Sequence, residues 1–184
     1  PIASDLSDMR PSLAPGLLAA AQRNADRGTG DVALFEVGQI FRGDGDKDQF
    51  YHAAGLRRGT AKVGGSGRIW GSRAANVDVF DAKADALALL AALGVSANAV
   101  QIVPGGPSFL HPGRSATLQF GPKNIVGWFG EFHPATLEAL DVEGPLCGFE
   151  ITLDSVPAPK AKPTKAKPKL DLSDLMPLER DFAF

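Results

Sequence analysis

An α+β fold, an antiparallel sheet flanked by helices, is what this 184-residue sequence predicts. Apolar strand-like runs recur along the chain, short polar turns join neighbouring runs, and two longer stretches carry helix start and stop signals. Short turns allow only antiparallel neighbours, because a parallel pair needs a crossover of about a dozen residues or more. A sheet built that way has an apolar face that helices must cover. The composition, 44% hydrophobic and 22% charged, is ordinary for a globular domain and supports a core without disulfide or metal.

The first element is an extended run, Met9-Arg10-Pro11-Ser12-Leu13, leading into a helix from about Pro15 to Arg27. Proline suits the first helical position, where an N–H would lack a partner anyway. Leu17, Leu18, Ala21 and Ala25 form its apolar stripe, and Gly28 is its stop. Val32 to Phe41 follows, apolar at positions of both parities, which predicts a strand central in its sheet. The polar loop Arg42 to Asp48 joins it to a strand around Tyr51 to Arg57, giving a hairpin. Gly59 to Gly71 reads as an irregular connection. A helix from about Asp81 to Leu93 is expected, capped by Asp81 and ended by Gly94.

Val100 to Val103 is a short strand; Ala116 to Phe120 and Ile125 to Gly130 pair across Gly121-Pro122-Lys123-Asn124. Pro134 opens a short helix to about Leu140. Leu146 to Leu153 is a strand with Cys147, Phe149, Ile151 and Leu153 on one face. These elements make one domain over residues 1–155. Residues 156–169 turn to proline, alanine and lysine, a linker with little to bury. Residues 170–184 start a further unit. The opening at Pro1 and the stop at Phe184 predict a segment of a longer polypeptide.

Charge and cysteine usage exclude several classes. The net charge of −2 is uneven, because Lys160, Lys162, Lys165, Lys167 and Lys169 share one short stretch. Without them, 14 basic residues face 21 acidic ones, about −7, the wrong sign for a folded nucleic-acid-binding face. The longest apolar run, Ala86 to Leu93, falls far short of the roughly 20 residues a membrane span needs, so no membrane partner is expected. The single cysteine, Cys147, forbids an intrachain disulfide and fits a reducing, cytoplasmic setting. Its place on an apolar strand makes it a packing residue rather than a nucleophile. Glu131 and His133 alternate at a strand end but are half a metal site at most, and no metal is expected. His111-Pro112-Gly113-Arg114-Ser115 reads as a rigid turn ahead of a strand, with a phosphate loop as the alternative.

The strongest local signal is Leu34-Phe35-Glu36-Val37-Gly38-Gln39-Ile40-Phe41-Arg42-Gly43-Asp44. It resembles motif 2 of class II aminoacyl-tRNA synthetases, a strand ending in Phe-Arg-x-acid before a loop. The resemblance gives Arg42 the position of an arginine that binds the ATP α-phosphate through paired hydrogen bonds, and Asp44 that of the neighbouring acid. Those enzymes also carry an arginine in motif 3. The candidate here, Gly144 to Leu153, has none, and no lysine or arginine lies between Lys123 and Lys160. Glu131, Glu138, Asp141, Glu143, Glu150 and Asp154 do lie there, a poor bed for a triphosphate. Arg42 and Asp44 are therefore expected to be degenerate positions, with no catalytic residue and no cofactor in this chain.

Further blocks in the same order narrow the resemblance: Pro1 to Leu13 with Pro15-Gly16-Leu17-Leu18, then Val77 to Lys83, Leu110 to Ala116, and Gly130 to Pro134. Together they resemble the catalytic-like module of the bacterial phenylalanyl-tRNA synthetase beta subunit; Ala14 departs from that family's usual large aliphatic residue. Pro177 to Phe184 resembles the first strand of its ferredoxin-like anticodon-binding domain. The resemblance implies a class II-like fold, a scaffold role within a heterotetramer, an α subunit and tRNA as partners, and ATP and magnesium used by the parent complex. The Pro15–Arg27 helix is the candidate contact with α. The five lysines of the linker are expected to form a solvated tether, with loose contact to tRNA phosphates as the functional alternative. Two other functions stay open at this point: an active adenylate-forming domain using Arg42 and Asp44, and an autonomous RNA-binding module.

Overall fold

A computed structural model describes residues 8–62, 70, 74–158 and 180–181. Its centre is a six-stranded antiparallel sheet: β1 (Val32–Phe41), β2 (Gln49–Arg58), β3 (Gln101–Pro104), β4 (Leu110–Gln119), β5 (Ile125–Phe132) and β6 (Leu146–Thr152). The spatial order is β1-β2-β6-β5-β4-β3, so the last strand in sequence lies between two hairpin-linked halves. Helices α1 (Ala14–Asp26), α2 (Val79–Ala92) and α3 (Pro134–Ala139) complete it. None of the described helices is long and apolar enough to cross a membrane.

Each face of the sheet carries its own core. On one, Leu13, Leu17, Leu18 and Ala21 of the α1 region pack with Ile40, Leu56, Leu110, Phe132 and Leu146. On the other, Ala82, Ala86 and Leu90 of α2 pack with Leu118, Val126, Phe129, Cys147 and Ile151. The alternation along β6 follows the two-residue period of a strand, and all of its residues are buried. Gly55 lets β6 and β2 close up: a Cβ there would lie 2.5 Å from the Phe149 ring. Arg57 of β2 forks onto Asp85 of α2 at 2.6 and 2.9 Å, pinning helix to sheet.

Several expectations need correction. Among the described residues Val32–Phe41 is an edge strand, not a central one, because only β2 pairs with it there. Its apolar residues of one parity meet the α1 core, while Phe35 and Val37, of the other, are 82% and 59% exposed. The cap of α2 is Asp78 rather than Asp81. Asp78 accepts the N–H groups of Phe80 and Asp81, while the Asp81 carboxylate, one turn in, accepts the N–H of Asp78. Both aspartates belong to one capping box, and only geometry assigns the roles. His111 to Ser115 is not a turn before a strand but part of β4, whose register shifts between Leu110 and Ser115. The phosphate-loop alternative fails with it, because Arg114 forks onto Glu131 across the β4–β5 ladder. Leu153 falls outside β6, in a short 3₁₀ turn. The first helix starts one residue earlier, at Ala14, with Pro15 second, and Gly28 ends it at a φ of +88°. Lys160, Lys162, Lys165, Lys167 and Lys169, and nearly all of 170–184, lie outside the described residues.

Two measurements follow from this packing. Gly55→Ala is expected to lower stability by about 1–3 kcal/mol in denaturant unfolding, as overpacking does, and Phe149→Leu should recover part of the loss; additive effects would refute the contact. Asp78 is held below its ordinary 3.8, first by a hydrogen bond from Lys62 and opposed by burial. A depressed folded-state value gives stability that is present above the unfolded value and lost as pH falls through the folded one. Thermal melts between about pH 5 and pH 2 should therefore show a falling Tm, with a shallower fall in Asp78→Asn.

Candidate functional site

The extended run ahead of α1 crosses the sheet and meets a carboxylate. Glu150, only 2% exposed, stands in the middle of β6 on the α1 face. Its Oε2 accepts the Ser12 hydroxyl at 2.5 Å, and its Oε1 accepts the Leu13 N–H at 3.1 Å. His52 of β2 faces the same Oε1 through Nδ1 at 2.6 Å, and its Nε2 meets Thr152 Oγ1 at 2.9 Å. With the carboxylate as acceptor, Nδ1 donates; in the neutral imidazole the Thr152 hydroxyl then donates to Nε2. The chain Ser12–Glu150–His52–Thr152 thus satisfies four polar side chains in a nearly dry place, as burial demands.

Above this network lies a cleft of about 260 Å³. Pro11, Phe109 and Trp128 form apolar walls, Glu150 and Thr152 lie at the floor, and Arg42 reaches its rim. Phe109 and Trp128 meet edge to face at 5.3 Å. The Arg42 guanidinium rests 5.0 Å from the centre of the Phe50 ring, a cation–π contact that holds it from behind. Asp44 is elsewhere, lining a separate surface depression with Asp8, Met9 and Gly43. The two motif-2-like positions are therefore not brought into one cleft. Arg42 shares its cleft with the carboxylate of Glu150, and a nucleotide's phosphates there would meet that acid where they need cations or amides.

The remaining candidates have structural partners. Glu131 binds Arg114, whereas His133 caps α3 by accepting the Ala135 N–H. Their side chains serve different contacts, and among the described residues no group of three or more potential ligands is gathered for a metal. Cys147 is buried on β6, and burial pushes its thiol up to about 12, which keeps it in the unreactive protonated form. Sequence reasoning missed Ser12, His52, Glu150 and Thr152. One local sign was available: Glu150 and Thr152 sit on the alternate parity of a strand apolar enough to be buried on both faces.

Glu150→Ala should strand the Ser12 hydroxyl, the Leu13 N–H and the His52 ring together. A loss of several kcal/mol in equilibrium unfolding is expected, since each buried polar group left unsatisfied costs about 1–3 kcal/mol. Glu150→Gln should cost less, because the amide oxygen still accepts. Equal, near-zero costs for both would remove the network from the fold's support.

Comparison with known proteins places this geometry. The family model described as the phenylalanyl tRNA synthetase beta chain CLM domain matches residues 1–153. Over the whole chain, the sequence is 63% identical to the phenylalanine–tRNA ligase beta subunit of Mesorhizobium japonicum and 64% identical to that of Brucella suis. The chain spans 23% of the length of each. Among solved structures, the pyrrolysyl-tRNA synthetase of Desulfitobacterium hafniense, PylSc, aligns over 80% of this chain and 48% of its own, with a TM-score of 0.57 and 18% identity. A second structure of pyrrolysyl-tRNA synthetase from that organism gives 0.55 and 15% over the same shares. Those identities speak for the fold alone, which is that of a class II-like synthetase domain. The match to 153 of 184 residues, with relatives above 60% identity along the entire chain, puts the chain in the phenylalanyl-tRNA synthetase beta chain CLM domain family.

Proposed function

We propose that this chain is a non-catalytic scaffold region of a phenylalanine–tRNA ligase beta subunit, packing against a catalytic α subunit and supporting tRNA binding in the cytoplasm. The observation that carries the reading is the cleft itself. On a class II-like sheet, Arg42 shares its cleft with the buried carboxylate of Glu150, and Asp44 lies in a different depression. One guanidinium opposed by one carboxylate is a weak site for ATP, whose charge calls for several cations or oriented amides. The parent complex, not this region, uses ATP and magnesium. Glu150 instead ties the run before α1 to β2 and β6. That is a structural use of the place where a cofactor would be held.

The α1 helix fits a packing role: Leu17, Leu18 and Ala21 are committed to the core, and Pro15, Gly16, Ala19 and Arg23 stay outward. For the lysines between 160 and 169 the proposal is a solvated tether, with loose, salt-sensitive contact to tRNA phosphates in the assembly as the alternative.

Co-purification of this chain with an α subunit tests the proposal, with the full-length beta polypeptide run alongside. Retention of α by both, before and after deletion of residues 156–169, is the expected result, together with no ATP–pyrophosphate exchange by this chain alone. Exchange activity lost in Arg42→Ala would establish an adenylate-forming domain instead. RNA binding by the isolated chain that vanishes with the deletion would favour an autonomous RNA-binding module. Retention of α by the full-length polypeptide alone would move the contact to its other domains.

A further inference from the structure

Two histidines meet where β4, β5 and α3 come together. His111 stands near the start of β4, and His133 follows the end of β5 as the N-cap of α3, its N–H held by the Phe109 carbonyl. Their rings are stacked, with 6.3 Å between centres and 27° between planes. Each is followed by a proline, and each ring bends back over it to the main chain. His111 Nδ1 accepts the Gly113 N–H at 3.1 Å, and His133 Nδ1 accepts the Ala135 N–H at 3.1 Å. A ring nitrogen that accepts carries no proton, so the hydrogen of each neutral imidazole sits on Nε2. His52 is built the opposite way, with Nδ1 turned to the Glu150 carboxylate.

That assignment leaves one place for a second proton. Nε2 is already occupied, so a ring that becomes imidazolium takes the proton on Nδ1, and both nitrogens are then donors. The bond to the main chain breaks, and the N–H it held loses its partner. In α3 the loss is specific. Pro134 has no N–H, Thr136 and Leu137 donate to the His133 carbonyl, and Ala135 has the ring alone. The stack adds a further cost, because protonating both rings sets two cations against each other. The charged side chains of the packed elements offer no relief. Arg114 of β4 and Glu131 of β5 are forked onto each other. Among the described residues neither of these, nor Glu138 of α3, has a hydrogen bond or ion pair to either ring.

We infer that His111 and His133 form a proton-operated latch: neutral, they hold the corner of β4, β5 and α3 shut, and on acidification they release it, beside the Phe109 wall of the cleft. The sign follows from counting protons. The open corner binds more of them than the closed one, so falling pH favours opening and rising pH favours closure. Imidazole is the side chain whose charge ordinarily changes between about pH 5 and 8, which sets the range in which the latch works. An acceptor that takes up no proton would hold the same bonds throughout that range. Asparagine is such an acceptor: its side-chain oxygen reaches the N–H two residues on and also serves at helix N-caps.

The test uses the full-length beta polypeptide in its complex with α. Hydrogen–deuterium exchange read by mass spectrometry follows two quantities from about pH 8 to about pH 5. One is the slow exchange of the Cε1 hydrogen of each imidazole, which reports its protonation. The other is amide protection in peptides spanning 111–115 and 133–137, corrected for the intrinsic effect of pH. A fall of about fivefold or more in that protection, in step with protonation of the two rings, is the expected result, as loss of a capping bond gives. In the double variant His111→Asn, His133→Asn, protection should stay level over the same range. Loosening that persists in the double variant would overturn the inference, as would loosening that sets in before either ring is protonated. Amides of the unsubstituted complex that stay protected down to about pH 5 would overturn it too, and that measurement stands whether or not the variant assembles.

Discussion

A single buried carboxylate organises one half of this molecule. Glu150 is reached by three donors from two elements distant in sequence, the Ser12 hydroxyl and Leu13 N–H ahead of α1 and the His52 ring on β2. A charge at 2% exposure survives only when its lone pairs are met, so the position of each donor is imposed on the segment that carries it. The run before α1 must cross the sheet at this point, and α1 must then lie over β1 and β2, where its leucines close the first core. His52 passes the constraint on to Thr152 and so locks β2 to β6 through side chains as well as backbone. Neighbouring strands can be related by ladder bonds alone; the helix that covers them is oriented by this polar contact.

The same carboxylate shapes the cleft on this synthetase-like sheet. A cleft survives above it, with an arginine at the rim and aromatic walls. Its floor, however, has been given to internal support. Arg42 is cradled by Phe50, and Asp44 follows the hairpin loop away from the cleft.

Much of the architecture was legible because it rests on local rules. Pro15 and Gly28 bracket α1, Gly94 terminates α2, and the Gly121–Asn124 turn sets β4 beside β5. What failed were questions that local pattern cannot answer. Val32 to Phe41 has apolar residues of both parities whether its second face is covered or bare, and only the placement of α2 distinguishes the two. Asp78 and Asp81 carry interchangeable chemistry three residues apart, so the cap could not be assigned from spacing. Pro112 and Gly113 look like a turn, yet β4 absorbs them through a register shift, where a proline lacking an N–H and a flexible residue do little harm. Arg42 and Asp44 were located by motif, but their separation depends on a loop's path. The Glu150 network spans 98 to 138 residues of sequence, a distance at which a single sequence carries no pairing signal.

Strand order carries a consequence for how such a chain emerges from the ribosome. Residues up to Arg58 can form one antiparallel pair, and residues 101–132 can form the three-stranded opposite wing. The slat that joins them, Leu146–Thr152, is the final one to be synthesised. Until it arrives, each wing exposes an inner flank made to bond something, and the two flanks are alike in lacking the same neighbour. A nascent chain halted before Leu146 is therefore two unjoined halves rather than an incomplete whole, and the interval before that last slat is when misassembly between neighbouring nascent chains has its opening.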